Sequence, residues 1–400
     1  MVSLGDPVTQ EVDHFLNDRR IQDLLDLLPP PGRRPVVDVE ETTPVERVFH
    51  TLADHDYQSL PVYRRTADGT KEYTGIVSVM DLLALLVLNE NAPLPVNGTA
   101  APTPSNSSPS TSPKKPHWEH VLSLPVSRAL GDLAHQPHHC QVLKSSDPLR
   151  NLIGYFAQGG HYRAIVLADP ADRQDVVPGS AAARVDDGRS GAPSASHEPA
   201  RFVSRTDLVR YLWHHHAQFP ALMDLSLPNF VNRIHGVVSP PASPTRGARH
   251  ALAILQERQQ ERPTMVPMTT LAIDAFHLMH QRQVSALAIV DSFAAVPHQT
   301  PVDPDEPTGP LTSELAATHL RRLSYHQLGL LDKPVVAFLL ATQDDVPTPF
   351  VVRTRFTFSQ CLAGLLQTAS RRAWLVDDMD DHPLAVISMA DVLKAFVSST

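Results

Sequence analysis

Apolar positions along the chain follow two alternating rhythms: short continuous runs of strand length, and longer segments in which they recur every three or four residues, the spacing of one helix face. The first cycle reads "PVVDV" as a strand, "TPVERVFHTLADHD" as an amphipathic helix, "SLPVYRR" and "EYTGIVSV" as two strands, and "MDLLALLVL" as a second helix. The second runs "HCQVLKSSDPLRNLIGYFAQGGHYRAIVLAD", breaks, and resumes as "ARFVSRTDLVRYLWHHH". The third pairs "AIDAFHLMHQRQVSALAIVDS" with "LTSELAATHLRRLS", and the fourth pairs "SQCLAGLLQTASRRAWLVDD" with "PLAVISMADVLKAF". Recurrence of one supersecondary order marks units that bury their cores against one another. The predicted fold class is α/β (α+β): four βαββα repeats docked as two paired modules, residues ~36 to 217 and ~245 to 400, with helices covering the sheets.

Between the cycles lie tracts such as "NAPLPVNGTAAPTPSNSSPSTSPKKP", "VVPGSAAARVDDGRSGAPSASHEPA" and "AAVPHQTPVDPDEPTGP", which hold no apolar period. They read as flexible insertions, tolerable because loop-closure entropy grows slowly with length. The boundaries drawn this way are an N-terminal extension at 1–35, repeats at 36–90, 118–217, 245–332 and 333–400, a disordered insertion at 91–117, a linker at 218–244, and internal insertions at 169–200 and 294–311.

Three cycles share one detail. The last strand meets its helix through S-x-x-D: Ser78 and Asp81, Ser204 and Asp207, Ser388 and Asp391. An acid in the first helical turn is stabilised by unpaired N–H groups and the positive end of the helix dipole, so capping alone explains each one. Its recurrence opens a second reading, a ligand contact. In the third cycle His319 falls at the Asp position.

Composition narrows the functions. A chain of 400 residues with 42% apolar and 19% charged side chains can build two or three cores. A net charge of −9 with scattered Lys and Arg argues against a nucleic-acid surface. Cys140 and Cys361 lie far apart, giving neither a disulfide framework nor a metal-finger spacing, and they point to a reducing compartment. The N-terminal stretch has no basic flank with a long apolar run, and no segment reaches membrane-spanning length. A soluble cytoplasmic protein, also nuclear, is expected, so the sequons at Asn97 and Asn106 read as chance matches. Adjacent histidines in "WHHH" at 213–216, and His138 with His139, point in different directions on a helix and imply no metal site. Ser204, His161 and Asp207 lack a nucleophile elbow and a Gly-rich oxyanion loop, and no G-x-x-x-x-G-K run is present. Neither catalysis nor a resident cofactor is expected.

With these residues placed, the chain resembles the CBS-domain family, in which paired repeats bind adenosine-containing ligands in their clefts. "DHFLNDRRIQDLLDLLPPPGRRPVVDVEETTPVERVFHTLADHDYQSLPVY", "VSALAIVD" and "YHQLGLLDKPV" are similar to the gamma, nucleotide-sensing regulatory subunits of AMP-activated and SNF1-type protein kinases. The resemblance implies AMP, ADP or ATP as regulatory ligand, and a kinase catalytic subunit and a scaffold subunit as partners. It assigns Asp81, Asp207 and Asp391 to ribose hydroxyls, and Ser78, Ser204 and Ser388 to base or phosphate. A His-Arg pair that the family aims at phosphates is matched by Tyr162-Arg163 and Arg371-Arg372, making Arg163, Arg371 and Arg372 phosphate candidates, with His161 standing in for a shifted histidine. Ser285 and Ala286 would lie against an adenine or be plain core. Tyr162 and His319 depart from the family pattern and put their own clefts in doubt. Two alternatives stay open: a stand-alone CBS regulator of a non-kinase enzyme that binds another adenosyl ligand such as S-adenosylmethionine, and a scaffold with empty clefts.

Overall fold

The computed structural model describes residues 6–28, 37–89, 118–131, 142–158, 161–167, 200–236, 263–291, 307, 309–323 and 325–397. The 91–117 insertion, most of those at 169–200 and 294–311, and Cys140, His138 and His139 lie outside them.

Each cycle folds around its own three-stranded sheet. The first holds β1 (Val39–Glu40), β2 (Ser59–Arg65) and β3 (Lys71–Ser78), and the second β4 (Val142–Lys144), β5 (Arg163–Leu167) and β6 (Ala200–Ser204). The third holds β7 (Met265–Pro267), β8 (Ala286–Val290) and β9 (Leu311–Ala316), and the fourth β10 (Val351–Arg353), β11 (Arg372–Val376) and β12 (Pro383–Ser388). In every sheet the first two strands run parallel and the last two antiparallel. A parallel pair needs a crossover, and the amphipathic segments supply it as helices Val45–Asp54, Leu149–Ala157, Ala272–Gln281 and Phe358–Gln367. Gly75 in β3 faces Leu130, whose Cδ2 would lie 3.3 Å from an added Cβ and would have to give by a few tenths of an ångström.

The sheets belong to two compact units. One comprises Met1–Val37, Cys140–Pro263 and Pro349–Thr400, and so joins the second and fourth repeats. Its core is lined by Ile21, Leu24, Phe156, Phe219, Phe230, Phe358 and Phe396, with Phe230 stacked on Phe358 at 4.2 Å and Phe219 edge-on to Phe396 at 5.1 Å. The other comprises Asp38–His139 and Thr264–Thr348, the first and third repeats, with Phe276 edge-on to Phe338 at 5.5 Å. These units replace the expected modules 36–217 and 245–400. In the first unit the final helix Met389–Lys394 packs on Leu149–Ala157 and Arg205–His214, and in the second Ala272–Gln281 packs on Val79–Asn89. Periodicity marks an apolar helix face without naming the helix that covers it.

Neighbouring repeats nevertheless exchange segments. Helix Ile21–Leu27, which precedes the first repeat, docks on the second through the Arg20–Pro148 bridge, and Ser226 ahead of the third bridges Thr357 of the fourth. In the other unit Pro125 bridges Pro44, and Pro334 bridges Leu271. Residues 6–28 of the N-terminal extension are therefore packed structure: Glu11 accepts from the backbone N–H of Ala221 at 3.0 Å, and Arg233 pairs with Asp6. The stretch assigned as a linker at 218–244 carries helices Pro220–Met223 and Leu227–Ile234, with Phe219, Leu222 and Phe230 fully buried. Among the described residues no helix is long and apolar enough to cross a membrane.

Candidate functional site

All three S-x-x-D joins close as reciprocal capping boxes. The backbone N–H and Oγ–H of Ser78 donate to Asp81 Oδ2, each at 2.7 Å, and the Asp81 N–H returns to Ser78 Oγ at 3.3 Å. The same three bonds measure 2.9, 2.6 and 3.2 Å between Ser204 and Asp207, and 2.9, 2.6 and 3.3 Å between Ser388 and Asp391. The capping reading of these acids thus holds at each join, and it commits each serine hydroxyl to the box. It uses one carboxylate oxygen. The second oxygen distinguishes the repeats: Asp391 Oδ1 accepts from Lys394 Nζ at 2.9 Å, whereas Asp207 Oδ1 meets no donor among the described residues.

Strand register then sets what lies beside each join. Across the antiparallel ladders Arg163 opposes Ser204, Arg372 opposes Ser388, Ala286 opposes Ala316 and Ser59 opposes Ser78. The residue ahead of the central strand sits at the same corner, its carbonyl accepting from the first helical N–H: Val79 to Gln58 at 2.9 Å, Arg205 to Tyr162 at 3.3 Å and Ala317 to Ser285 at 3.1 Å. The second repeat therefore gathers Tyr162, Arg163, Ser204 and Asp207, and the fourth gathers Arg371, Arg372, Ser388 and Asp391. Arg372 is buried, while Arg163 and Arg371 are half-buried. Ser285 and Ala286 stand at the third join. His161 stacks on Tyr155, with ring centroids 4.2 Å apart and planes at 14°.

The third join departs as its sequence does. Ala316 offers no hydroxyl, and His319 Nδ1 accepts the Ala316 N–H at 3.2 Å, so half of the box survives and the chain continues as a 3-10 helix over Ala317–Arg322. The imidazole takes the capping place of the carboxylate.

Two residues absent from the sequence-based site stand at equivalent corners. Ser59 is fully buried, and its Oγ has no hydrogen-bond partner among the described residues. Arg205 opens the helix after Ser204 with its Cζ 4.7 Å from the centre of the Tyr162 ring. Burial pushes the pKa of its guanidinium below the ordinary range, while the charges of Tyr162, Asp391 and Tyr155 act in the opposite direction. The signal for Arg205 is visible once the joins are aligned: the residue after the strand-end position reads Val79, Arg205, Ala317 and Met389. Among the described residues no group of three or more His, Cys, Asp or Glu side chains could hold a metal ion.

Residues 32–88 match the CBS-domain family. Among solved structures, protein MJ1225 from Methanocaldococcus jannaschii, a proposed archaeal homologue of g-AMPK, superposes with a TM-score of 0.55 at 11% identity, over 94% of this chain and all (100%) of that one. An uncharacterized conserved protein from Pyrococcus horikoshii gives 0.41 at 12% identity, covering 91% and 96% of the two chains. The CBS-pair protein CBSX2 from Arabidopsis thaliana gives 0.23 at 20% identity, covering 34% and 86%. Among curated proteins no sequence matches. Residues 32–88 thus carry the CBS-domain match, and the chain as a whole shares the fold of MJ1225.

Proposed function

We propose that the protein is a non-catalytic regulatory subunit that binds adenine nucleotides at its strand–helix joins and reports their ratio to a protein kinase held with a scaffold subunit. The observation that carries this reading is the second join. Its capping box fixes the Asp207 carboxylate and leaves Oδ1 without a donor among the described residues, while Arg163 stands across the ladder from the same serine. A ribose offers two adjacent hydroxyls as donors to such a carboxylate, and an arginine fork suits the phosphate oxygens that follow. The fourth join repeats the arrangement with Arg371 and Arg372, its acid shared with Lys394. Nucleotide control further requires different affinities in two states of the complex, because equal affinity would shift nothing. Fold likeness to MJ1225 directs the partner search toward a kinase.

Affinity purification of the full chain from its native lysate with mass spectrometry tests the partner, and isothermal titration against AMP, ATP and S-adenosylmethionine tests the ligand. Kinase and scaffold subunits together with AMP or ATP binding are expected. A preference for S-adenosylmethionine with a non-kinase enzyme as partner would replace this reading with the adenosyl-regulator one.

A further inference from the structure

We infer that Arg205 is an oxyanion site: the Nε and Nη2 edge of its guanidinium takes two oxygens of a phosphoryl group belonging to the nucleotide held at the second join. This assignment rests on the proposed nucleotide binding. It starts from the comparison of the chain with itself. The first residue of the turn after the join is apolar and buried in three repeats, with Val79 and Ala317 each 2% exposed and Met389 7% exposed. The second repeat places an arginine there, at the first position of a helix of 10 residues. Packing thus asks for an apolar side chain at this corner, and a charge sits in its place.

Two of the Arg205 donors, Nε and Nη2, are buried and lack an acceptor among the described residues. A buried unpaired donor on a charged group costs folding free energy, and a cost of this kind is recovered when a ligand supplies the acceptor. The two orphaned atoms are the pair whose N–H bonds lie parallel along one edge of the guanidinium plane. That edge matches two oxygens of one phosphoryl or carboxylate group, a geometry Lys cannot reproduce. Tyr162 lies against the face of the guanidinium at 4.7 Å, leaving its edge to a ligand.

Asp391 acts on Arg205 electrostatically but does not accept from it. Its Oδ2 is held by Ser388 at 2.6 and 2.9 Å and its Oδ1 by Lys394 at 2.9 Å. The neighbouring acid is thus already committed, and a ligand oxyanion is the partner that completes the site. The first-turn N–H groups of the helix Arg205–His214 add positive potential at the same place.

Arg205→Met, which introduces the residue found at this position of the fourth repeat, and Arg205→Lys are titrated as full chains with AMP, ATP and adenosine beside the wild type. Both variants are expected to lose about tenfold or more in affinity for AMP or ATP, with adenosine affinity changed by less than about threefold. Unchanged nucleotide affinity in both variants overturns the inference while leaving nucleotide binding intact. Should the wild type bind neither nucleoside nor nucleotide, the proposed function fails, and thermal unfolding in inorganic pyrophosphate decides Arg205 separately. A rise in melting temperature present in the wild type and lost in Arg205→Met upholds the oxyanion site, and an equal response in both proteins, or none in either, overturns it.

Discussion

Replacing Asp207 with alanine removes a structural role and a proposed binding role together, and the two separate by magnitude. The structural part is the capping box, in which Asp207 Oδ2 accepts at 2.9 and 2.6 Å and the Asp207 N–H donates at 3.2 Å. Losing the acid from such a cap costs about 1–2 kcal/mol of stability. The binding part is Oδ1. A charge-assisted hydrogen bond from a ribose hydroxyl is worth about 1.5–3 kcal/mol, so AMP affinity should fall roughly 10- to 150-fold. Ser204→Ala provides the control, because it breaks the hydroxyl half of the box and keeps the carboxylate. Urea denaturation should show both variants destabilised by about 1 kcal/mol or more, while isothermal titration should show a large affinity loss in Asp207→Ala and less than about a threefold loss in Ser204→Ala. Equal affinity losses in the two variants would mean that the join is structural alone, and an unchanged affinity in Asp207→Ala would refute the ribose contact.

Three further outcomes are expected. His319→Ala should weaken the fold by about 0.5–2 kcal/mol through loss of the Ala316 cap and leave nucleotide stoichiometry unchanged in titration, since one imidazole acceptor cannot take both ribose hydroxyls; loss of one binding equivalent would contradict this. Arg321 donates from Nη1 to the Tyr57 carbonyl and from Nη2 to Asp56 Oδ1, both at 2.8 Å, bracing an Asp56 backbone at φ 51°, so Arg321→Met should lose about 1–3 kcal/mol by denaturation, and no loss would show the bracing to be idle. Burial pushes the Cys361 thiol up to about 12, so in a Cys140→Ser background it should resist maleimide until the protein unfolds. Unfolding returns Cys361 to its ordinary range, where the unfolded state releases the proton first. Its contribution to stability is therefore complete below about pH 9 and declines from there toward pH 12, and a flat urea midpoint across that window in comparison with Cys361→Ala would contradict the assignment.

Much of the fold was legible because strand and helix periods are local properties. The β-α-β-β-α order, the S-x-x-D joins and the broken third join all follow from spacing, and the alignment of Arg163 and Arg372 with Ser204 and Ser388 appears in the strand register. What stayed hidden depends on tertiary contact. An amphipathic stripe on Met389–Lys394 does not announce that it covers helices of the second repeat, and residues 218–244 read as a linker because their helices run only 4 and 8 residues, with Pro220 and Pro228 in the first turns. The allocation of carboxylate oxygens was likewise invisible: the sequence treats Asp81, Asp207 and Asp391 alike, whereas Lys394, three residues on, engages Asp391 Oδ1 and Asp207 Oδ1 meets no donor among the described residues. Arg205 was overlooked because a cation between Ser204 and Asp207 looks like an ordinary surface residue until the burial of its Nε and Nη2 is seen.

The central claim, nucleotide binding at the strand–helix joins, is tested most directly by isothermal titration of AMP into the full chain and into Asp207→Ala under identical conditions. Saturable binding by the wild type and a roughly tenfold or greater loss of affinity at one class of sites in the variant are expected. No heat of binding in the wild type with AMP, or identical isotherms for the two proteins, would contradict the claim.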